Sequence, residues 1–329
     1  MQTSIQQAEI MGALKYTSKA TSKLDNRIRL ESKADCLTIE STNGRMAVRA
    51  KMEAQVVEPG TICVDGPKFA EAIRSVRETI SLKLSNNKLA IAGRFRLGVL
   101  PTEDFPPFPA AGDLIATVDV DTAIKRTMYA TAEDNSRPLE GILFDGSNLV
   151  ATDVSRLAIA KVDANFAEQL LLPAALLRAV VGLGATSIYD AEYYVIFEAN
   201  GVEMAIAKMQ GQFPLYQSLI PADSNERVMA EFHRDHLTDV LERAAVVSEN
   251  VKIDVVDGQA IFSAQKQDDE FEESIPVENR NTGTAHFRTR FILDFLRAGE
   301  GGVRFSFEGQ KQGLLESDDY QYVIMPVRV

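Results

Sequence analysis

Three histidines, two cysteines and a run of carboxylates are the residues of this chain best suited to hold a metal or move a proton. His233 and His236 lie one helical turn apart, but no cysteine or carboxylate cluster stands beside them at zinc spacing. A surface or structural role is expected for both, and His286 stands alone. The acidic run Asp268-Asp269-Glu270, followed by Glu272 and Glu273, lacks the glycine and alternating oxygen ligands of a calcium loop. It reads as a solvated loop or a strand edge. Gly182-Leu183-Gly184 follows a helical pattern instead of a strand, so it is no dinucleotide fingerprint. Neither a phosphate-binding G-x-x-x-x-G-K-[ST] nor a G-x-S-x-G elbow occurs. The expectation is a protein without an active site, metal or cofactor.

The remaining chemistry is cationic. Six amphipathic helices are predicted, over Ile5–Ala20, Pro67–Glu78, Val120–Ala132, Pro173–Val181, Arg234–Ser248 and Thr289–Ala298. On the first, Lys15 and Lys19 oppose the Ile10, Ala13 and Leu14 stripe. Arg74 opposes Phe69, Ala72, Ile73 and Val76. Lys125, Arg126 and Tyr129 oppose Val120, Ala123, Ile124 and Met128. Arg290 and Arg297 oppose Phe291 and Phe295, and Arg178 lies off the stripe around Val180. Any solvated helix face carries some Lys and Arg. Five helices doing so, in a chain of formal net charge −12, suggest one cationic surface on an otherwise acidic protein. The helix from Arg234 departs from this, since Arg243 is mixed there with Asp235, Asp239 and Glu242.

The elements that must position these cations recur. Strand–turn–strand patterns begin at Leu37, Leu149 and Ala260, spaced by 112 and 111 residues. Alternating strands closing on an apolar-Pro pair recur at Leu100-Pro101, Phe213-Pro214 and Met325-Pro326, spaced by 113 and 112. Two landmarks with one period predict three tandem α+β domains, 1–112, 113–224 and 225–329. Each should pack two helices on β-sheets. Pro-rich stretches at 101–109 and 214–221 mark the joints.

The 329 residues, 45% apolar and 25% charged, fit a soluble globular class. The first residues show neither a basic n-region nor an apolar h-region. No apolar run approaches the roughly 20 residues of a membrane span. Only Cys36 and Cys63 are present, which fits a reducing cytoplasm.

Several segments resemble the β subunit of bacterial DNA polymerase III, the sliding-clamp family. They are Gly93-Arg94-Phe95-Arg96 through Asp104-Phe105-Pro106, Arg137 to Phe144, Val150-Ala151-Thr152-Asp153-Val154-Ser155-Arg156-Leu157-Ala158, Gly211-Gln212-Phe213-Pro214-Leu215-Tyr216, and Tyr322 to Val329. The resemblance implies half of a six-domain ring: a head-to-tail homodimer around duplex DNA, tethering DNA polymerase and a clamp loader through short hydrophobic peptides. It implies sequence-independent DNA contacts from Lys15, Lys19, Lys23, Arg74, Lys125, Arg126, Arg137, Arg178, Arg290 and Arg297. The peptide pocket would comprise Leu139, Thr152, Val154, Arg156, Leu157, Pro214, Leu219, Val323, Ile324, Met325, Pro326, Val327, Arg328 and Val329. The ring contact would bring Leu97 and Val99 of one copy to Val246 and Val247 of the other.

The chain also departs from the family pattern. Val154-Ser155 stands where the family usually has Gly-His, Ser218 replaces a basic residue, and the first unit is shortened near Lys23-Leu24-Asp25-Asn26. A clamp-fold regulator or decoy that no longer serves replication is the alternative expectation.

Overall fold

In the computed structural model, residues 1–23, 25–77, 79–133 and 138–328 are described. The chain packs into two compact units, Met1–Val120 with Ala175–Lys208, and Asp121–Ala174 with Met209–Val329. The middle sequence repeat is therefore shared between them. The boundaries near 112 and 224 follow the period of the sequence, not the edges of these units.

The first unit carries an eight-stranded antiparallel sheet in the order Asp113–Val118, Thr186–Asp190, Tyr194–Ala199, Val202–Ala207, Met46–Glu53, Cys36–Thr42, Arg27–Lys33, Gly60–Asp65. Its first four strands come from the second repeat and its last four from the first. The seam is the pairing of Val202–Ile206 with Met46–Ala50. A five-stranded sheet runs Gln55–Glu58, Gln2–Gln6, Thr79–Ser85, Lys88–Ile91, Phe95–Gly98. The second unit repeats the plan. Its seven-stranded sheet runs Gly141–Thr152, Arg156–Pro173, Tyr320–Ile324, Gly313–Ser317, Val303–Phe307, Val228–Phe232, Glu278–Arg280. The seam there pairs Arg156–Ala160 with Tyr320–Ile324. A four-stranded sheet runs Asp269–Pro276, Gln259–Lys266, Asn250–Val256, Gly283–Arg288.

The helices are α1 (Gln7–Thr17), α2 (Gly66–Arg74), α3 (Asp121–Thr127), α4 (Ala174–Leu177), α5 (Arg234–Val247) and α6 (Thr289–Ala298). α1 packs on α2, and α5 on α6. α2 starts as its sequence dictates: Asp65 accepts the Lys68 N–H at 2.9 Å, and Pro67 occupies the first turn where no N–H is needed. α5 buries Leu237, Val240, Leu241 and Ala244 at helical spacing.

α6 has the predicted bounds, and α5 differs by one residue. The others are shorter. Ile5 and Gln6 belong to a strand, because Gln2–Gln6 pairs with Thr79–Ser85 before α1 begins. α2 ends at Arg74, and Glu78 lies outside the described residues. Pro173 closes a long strand paired with Gly141, so only one turn of the expected fourth helix forms. α3 gives way to a 3₁₀ turn at Met128–Ala130. The apolar-Pro landmark also needs correction. The strand before Phe213 ends at Ala207, and Leu100 forms only an isolated bridge to Cys63.

Candidate functional site

The cations are divided between the two units. In the first unit, Lys15 and Lys19 are exposed on α1, and their ammonium groups lie 5.1 and 5.3 Å from the Tyr16 ring centroid. Lys19 Nζ donates to the Ala179 carbonyl at 3.1 Å, and the Tyr16 hydroxyl donates to that of Gly182. The turn carrying exposed Arg178 is thereby tied to α1, so Lys15, Lys19 and Arg178 share one patch. Burial, then the neighbouring Lys15 charge, lowers the pKa of Lys19. Lys23 and Arg74 are exposed as well.

In the second unit, Lys125 and Arg290 are exposed. Arg297 is exposed but bonded to Glu242 at 2.8 Å. Arg126 corrects the helical-wheel expectation. It is half-buried, with its guanidinium 5.5 Å from the Tyr320 ring centroid, and the Tyr320 hydroxyl donates to its carbonyl. Tyr129, placed on the same outer face by the wheel, turns inward and hydrogen-bonds the Tyr320 hydroxyl. The cause is the 3₁₀ turn, whose ~120° per residue puts Tyr129 out of phase with α3. Arg137 lies outside the described residues.

The expected pocket residues gather at the second seam. Leu157 pairs with Val323, and both join a buried cluster with Leu143, Val150, Ile159, Leu171, Phe213, Tyr216 and Leu314. Leu139, Met209 and Ile220 pack on its margin. Thr152 and Ile324 are buried, Pro326 and Val327 are half-buried, and Pro214 and Arg328 are exposed. Over this core stand exposed apolar side chains: Val154 at 74%, Leu215 at 79%, Leu219 at 44% and Met325 at 50%. Val329 lies outside the described residues.

Arg156, expected among the pocket residues, is buried. It is 7% exposed, and it pairs with Asp153 at 2.9 Å and Asp294 at 2.5 Å. It also donates to the Tyr129 carbonyl at 2.7 Å. Burial opposes its charge, and Tyr322, Asp294 and Asp153 outweigh that opposition, leaving its pKa raised. Its role is to hold the turn above the core. The rim of the site is fastened separately: Asp145 accepts the Tyr216 hydroxyl at 2.8 Å. Burial, then that bond, raises the Tyr216 hydroxyl to about 12.

Leu215, Phe213 and Tyr216 were not singled out as pocket residues from the sequence. Their signal was the repeat itself, because the segment following each hairpin supplies aromatic side chains to the seam. In the first unit Phe108 packs on the cluster of Ala47, Ala191, Ile196 and Ala205.

Two sheet edges are also notable. Phe95–Gly98 closes one end of the five-stranded sheet, and Asp269–Pro276 closes one end of the four-stranded sheet. The first is flanked by exposed Arg94 and contains exposed Arg96; the second contains Asp269, Glu270, Glu272 and Glu273. The acidic run is thus a strand edge, as one of its two sequence readings had it. Leu97 and Val99 are half-buried, Val246 is 85% exposed and Val247 half-buried. An open cleft of about 900 Å³ elsewhere on the second unit is lined by Lys161, Glu231, His233 and Asp318 among others, and by none of the expected site residues. Among the described residues no cluster of His, Cys, Asp and Glu could hold a metal ion. No described helix is long and apolar enough to cross a membrane.

Helix pairs on repeated sheets, joined seam to seam and bearing cations outside the core, define a sliding-clamp fold. Solved structures share it over the full length of this chain and of theirs. The DNA polymerase III subunit beta from Pseudomonas aeruginosa superposes with a TM-score of 0.91 at 23% identity. The beta subunit from Streptococcus pyogenes does so with a TM-score of 0.92 at 18% identity. Residues 1–109 match the family described as DNA polymerase III beta subunit, N-terminal domain. The beta sliding clamp of Streptomyces coelicolor is 25% identical over 91% of this chain and 90% of its own. That of Caulobacter vibrioides NA1000 is 25% identical over the whole of both chains. The beta sliding clamp homolog GriR of Streptomyces muensis is 24% identical over 91% of this chain and 90% of its own. The match to that family thus covers the first third of the chain, and the similarity to beta sliding clamps, at 24–25% identity, runs over nine-tenths of it or more.

Proposed function

We propose that this chain is a cytoplasmic processivity clamp. Two copies close head to tail around duplex DNA, and each docks DNA polymerase and the clamp loader at the apolar site of its second unit. The repeats 1–112, 113–224 and 225–329 are its three clamp domains.

The observation that carries this reading is the repeated seam. Twice within the chain, a strand that leaves a repeat's hairpin pairs with the last strand of the following repeat. The third repeat's equivalent strand, Asp269–Pro276, and the first repeat's last strand, Phe95–Gly98, each end a sheet. One edge is acidic and the other basic, which suits them to pair between copies. A heterologous contact of this kind closes when the rotation fits, and three repeats per chain would close it at two chains. Leu97 and Val99 of one copy would then meet Val246 and Val247 of the other. An apolar side chain as exposed as Val246 supports that reading without requiring it.

The proposed phosphate contacts are Lys15, Lys19, Lys23, Arg74, Lys125, Arg178, Arg290 and Arg297. Neutralising one of them lowers DNA association alike across sequences and reduces the salt slope by about 0.9 per lost phosphate contact. The test is mass in solution together with loading. The 36.2 kDa chain should sediment at twice that mass. Leu97→Lys combined with Val246→Lys should yield a folded monomer, and a persistent dimer would refute the interface.

The similarity to a protein named as a clamp homolog, with Val154-Ser155 in the second-unit turn, favours a regulator or decoy as the second reading. Loader-stimulated loading on nicked circular DNA separates the two. A clamp is loaded and retained, whereas a decoy binds clamp-dependent proteins and stays off the DNA.

A further inference from the structure

We propose that Val154 is a specificity-determining contact of the apolar site, its strained side chain held out at the mouth to meet an apolar residue of the docked partner segment. The inference rests on the docking reading above and names a determinant within it.

The chain contains its own control. The first unit's turn Thr42–Met46 and the second unit's turn Thr152–Arg156 are made by the same bonds. In the first, the Gly44 N–H donates to Thr42 Oγ1 at 3.1 Å, and Asn43 Oδ1 accepts the Arg45 and Met46 N–H groups at 3.1 and 2.9 Å. In the second, the Val154 N–H donates to Thr152 Oγ1 at 3.1 Å, and Asp153 Oδ1 accepts the Ser155 and Arg156 N–H groups, both at 3.0 Å. Each threonine hydroxyl donates to the carbonyl that closes the turn, at 3.1 and 2.6 Å. The central residue is left-handed in both, with φ of 82° at Gly44 and 77° at Val154. Glycine adopts that conformation freely, whereas a β-branched residue is strained in it.

Nothing inside the fold compensates Val154 for its strain, since its side chain is 74% exposed. The turn holds it there regardless, through Thr152, Asp153 and the Arg156–Asp294 pair. Strain of this kind persists where surrounding structure over-determines it, and it marks functional positions.

The neighbouring positions change in the same sense. The residue after the central position of each turn accepts, at its carbonyl, the N–H that ends the seam: Arg45 from Ala207, and Ser155 from Met325. The seam pair Ala47–Ala205 of the first unit corresponds to Leu157–Val323 of the second. Gly44, Ala47, Ala205 and Ala207 thus become Val154, Leu157, Val323 and Met325. All four replacements enlarge the apolar surface at one place. The charges of the turn and its anchor balance: Arg156 pairs with Asp153 and Asp294, and Arg290 lies 3.7 Å from Asp294. The occupant that fits is therefore an uncharged, apolar stretch of an extended partner segment.

The test is calorimetry on the full chain with an array of acetylated hexapeptides, each placing two Leu or Phe residues in a Ser/Gln background. Wild type is compared with Val154→Gly, which releases the strain, and Val154→Thr, which keeps both strain and shape but loses apolarity. Both variants should bind the best peptide about fivefold more weakly, the share of a partly buried valine contact. The glycine variant alone should melt at a higher temperature. A cycle with Leu→Ala in the peptide should be non-additive at one peptide position. Binding by Val154→Gly within about twofold of wild type, or additivity at every position, overturns the role of Val154 and leaves docking standing. No peptide binding by wild type overturns docking itself, and this proposal with it.

Discussion

The two seams of this chain are built by the same backbone and do different things with it. At the first, alanines face each other, a glycine forms the turn, and the half-buried aromatic rings of Phe108, Tyr189 and Tyr194 pack on the cluster. The Arg49 guanidinium lies 4.2 Å from the Phe108 ring centroid and closes it further. At the second, larger side chains build a broader core, and Val154, Leu215, Leu219 and Met325 remain in solvent above it. One seam satisfies its own apolar surface and the other leaves it open. A site can therefore arise at a duplicated joint through a few side-chain changes, without new secondary structure.

The charges differ in parallel. Met46, buried at the start of the first seam, is matched by Arg156 at the second, and Asn43 by Asp153. The second turn is thus anchored to α6 through Asp294, an anchor the first turn does not have. If the anchor is what holds the second turn, Asp294→Ala should cost most, about 3 kcal/mol, because it strands a buried guanidinium. Denaturant unfolding measures it, and a loss below about 1 kcal/mol would mean that Asp153 suffices.

Leu157→Ala gives one side of the second seam the small residue found at the first. A loss of about 2–3 kcal/mol is expected for the emptied core, together with weakened peptide binding and an intact dimer. Retained peptide affinity would separate the core from the site above it. Met325→Asp should instead abolish peptide binding while leaving stability nearly unchanged, since a charge at the mouth opposes apolar docking but enters no core.

The smallest effect sharpens the comparison most. Gly44→Val imports the second turn's strain into the first. A Cβ at position 44 meets nothing within 4 Å, so the cost is backbone strain alone, about 1–2 kcal/mol. No change in peptide binding should accompany it. Unaltered stability would show that this turn accepts a β-branched residue without strain, and the argument for Val154 would fall.

Much of the fold was legible beforehand. Hairpins at a fixed period, the apolar stripes of α5 and α6, and the acidic run as a strand edge all follow from local patterns of two and 3.6 residues. The site was less so. Helical periodicity placed Arg126 and Tyr129 outside; a 3₁₀ turn brings Tyr129 inward, and Arg126 packs over Tyr320, 194 residues away in sequence. Arg156 has the residue type of a binding group, but its two carboxylate partners lie 3 and 138 residues away in sequence. No local pattern reports the second of them.

By itself the sequence determined the repeat and the hairpins, because each depends on residue types at regular spacing. Tertiary structure decided how the middle repeat is divided between two packed units, since strand pairing across the seams joins residues that are far apart along the chain. It also decided which apolar residues are core and which are exposed. Leu157 and Val154 differ little in hydrophobicity, and one is buried while the other is 74% exposed. The difference is the direction of the backbone at a turn held by Thr152, Asp153 and Arg156, and that direction is a property of the folded unit.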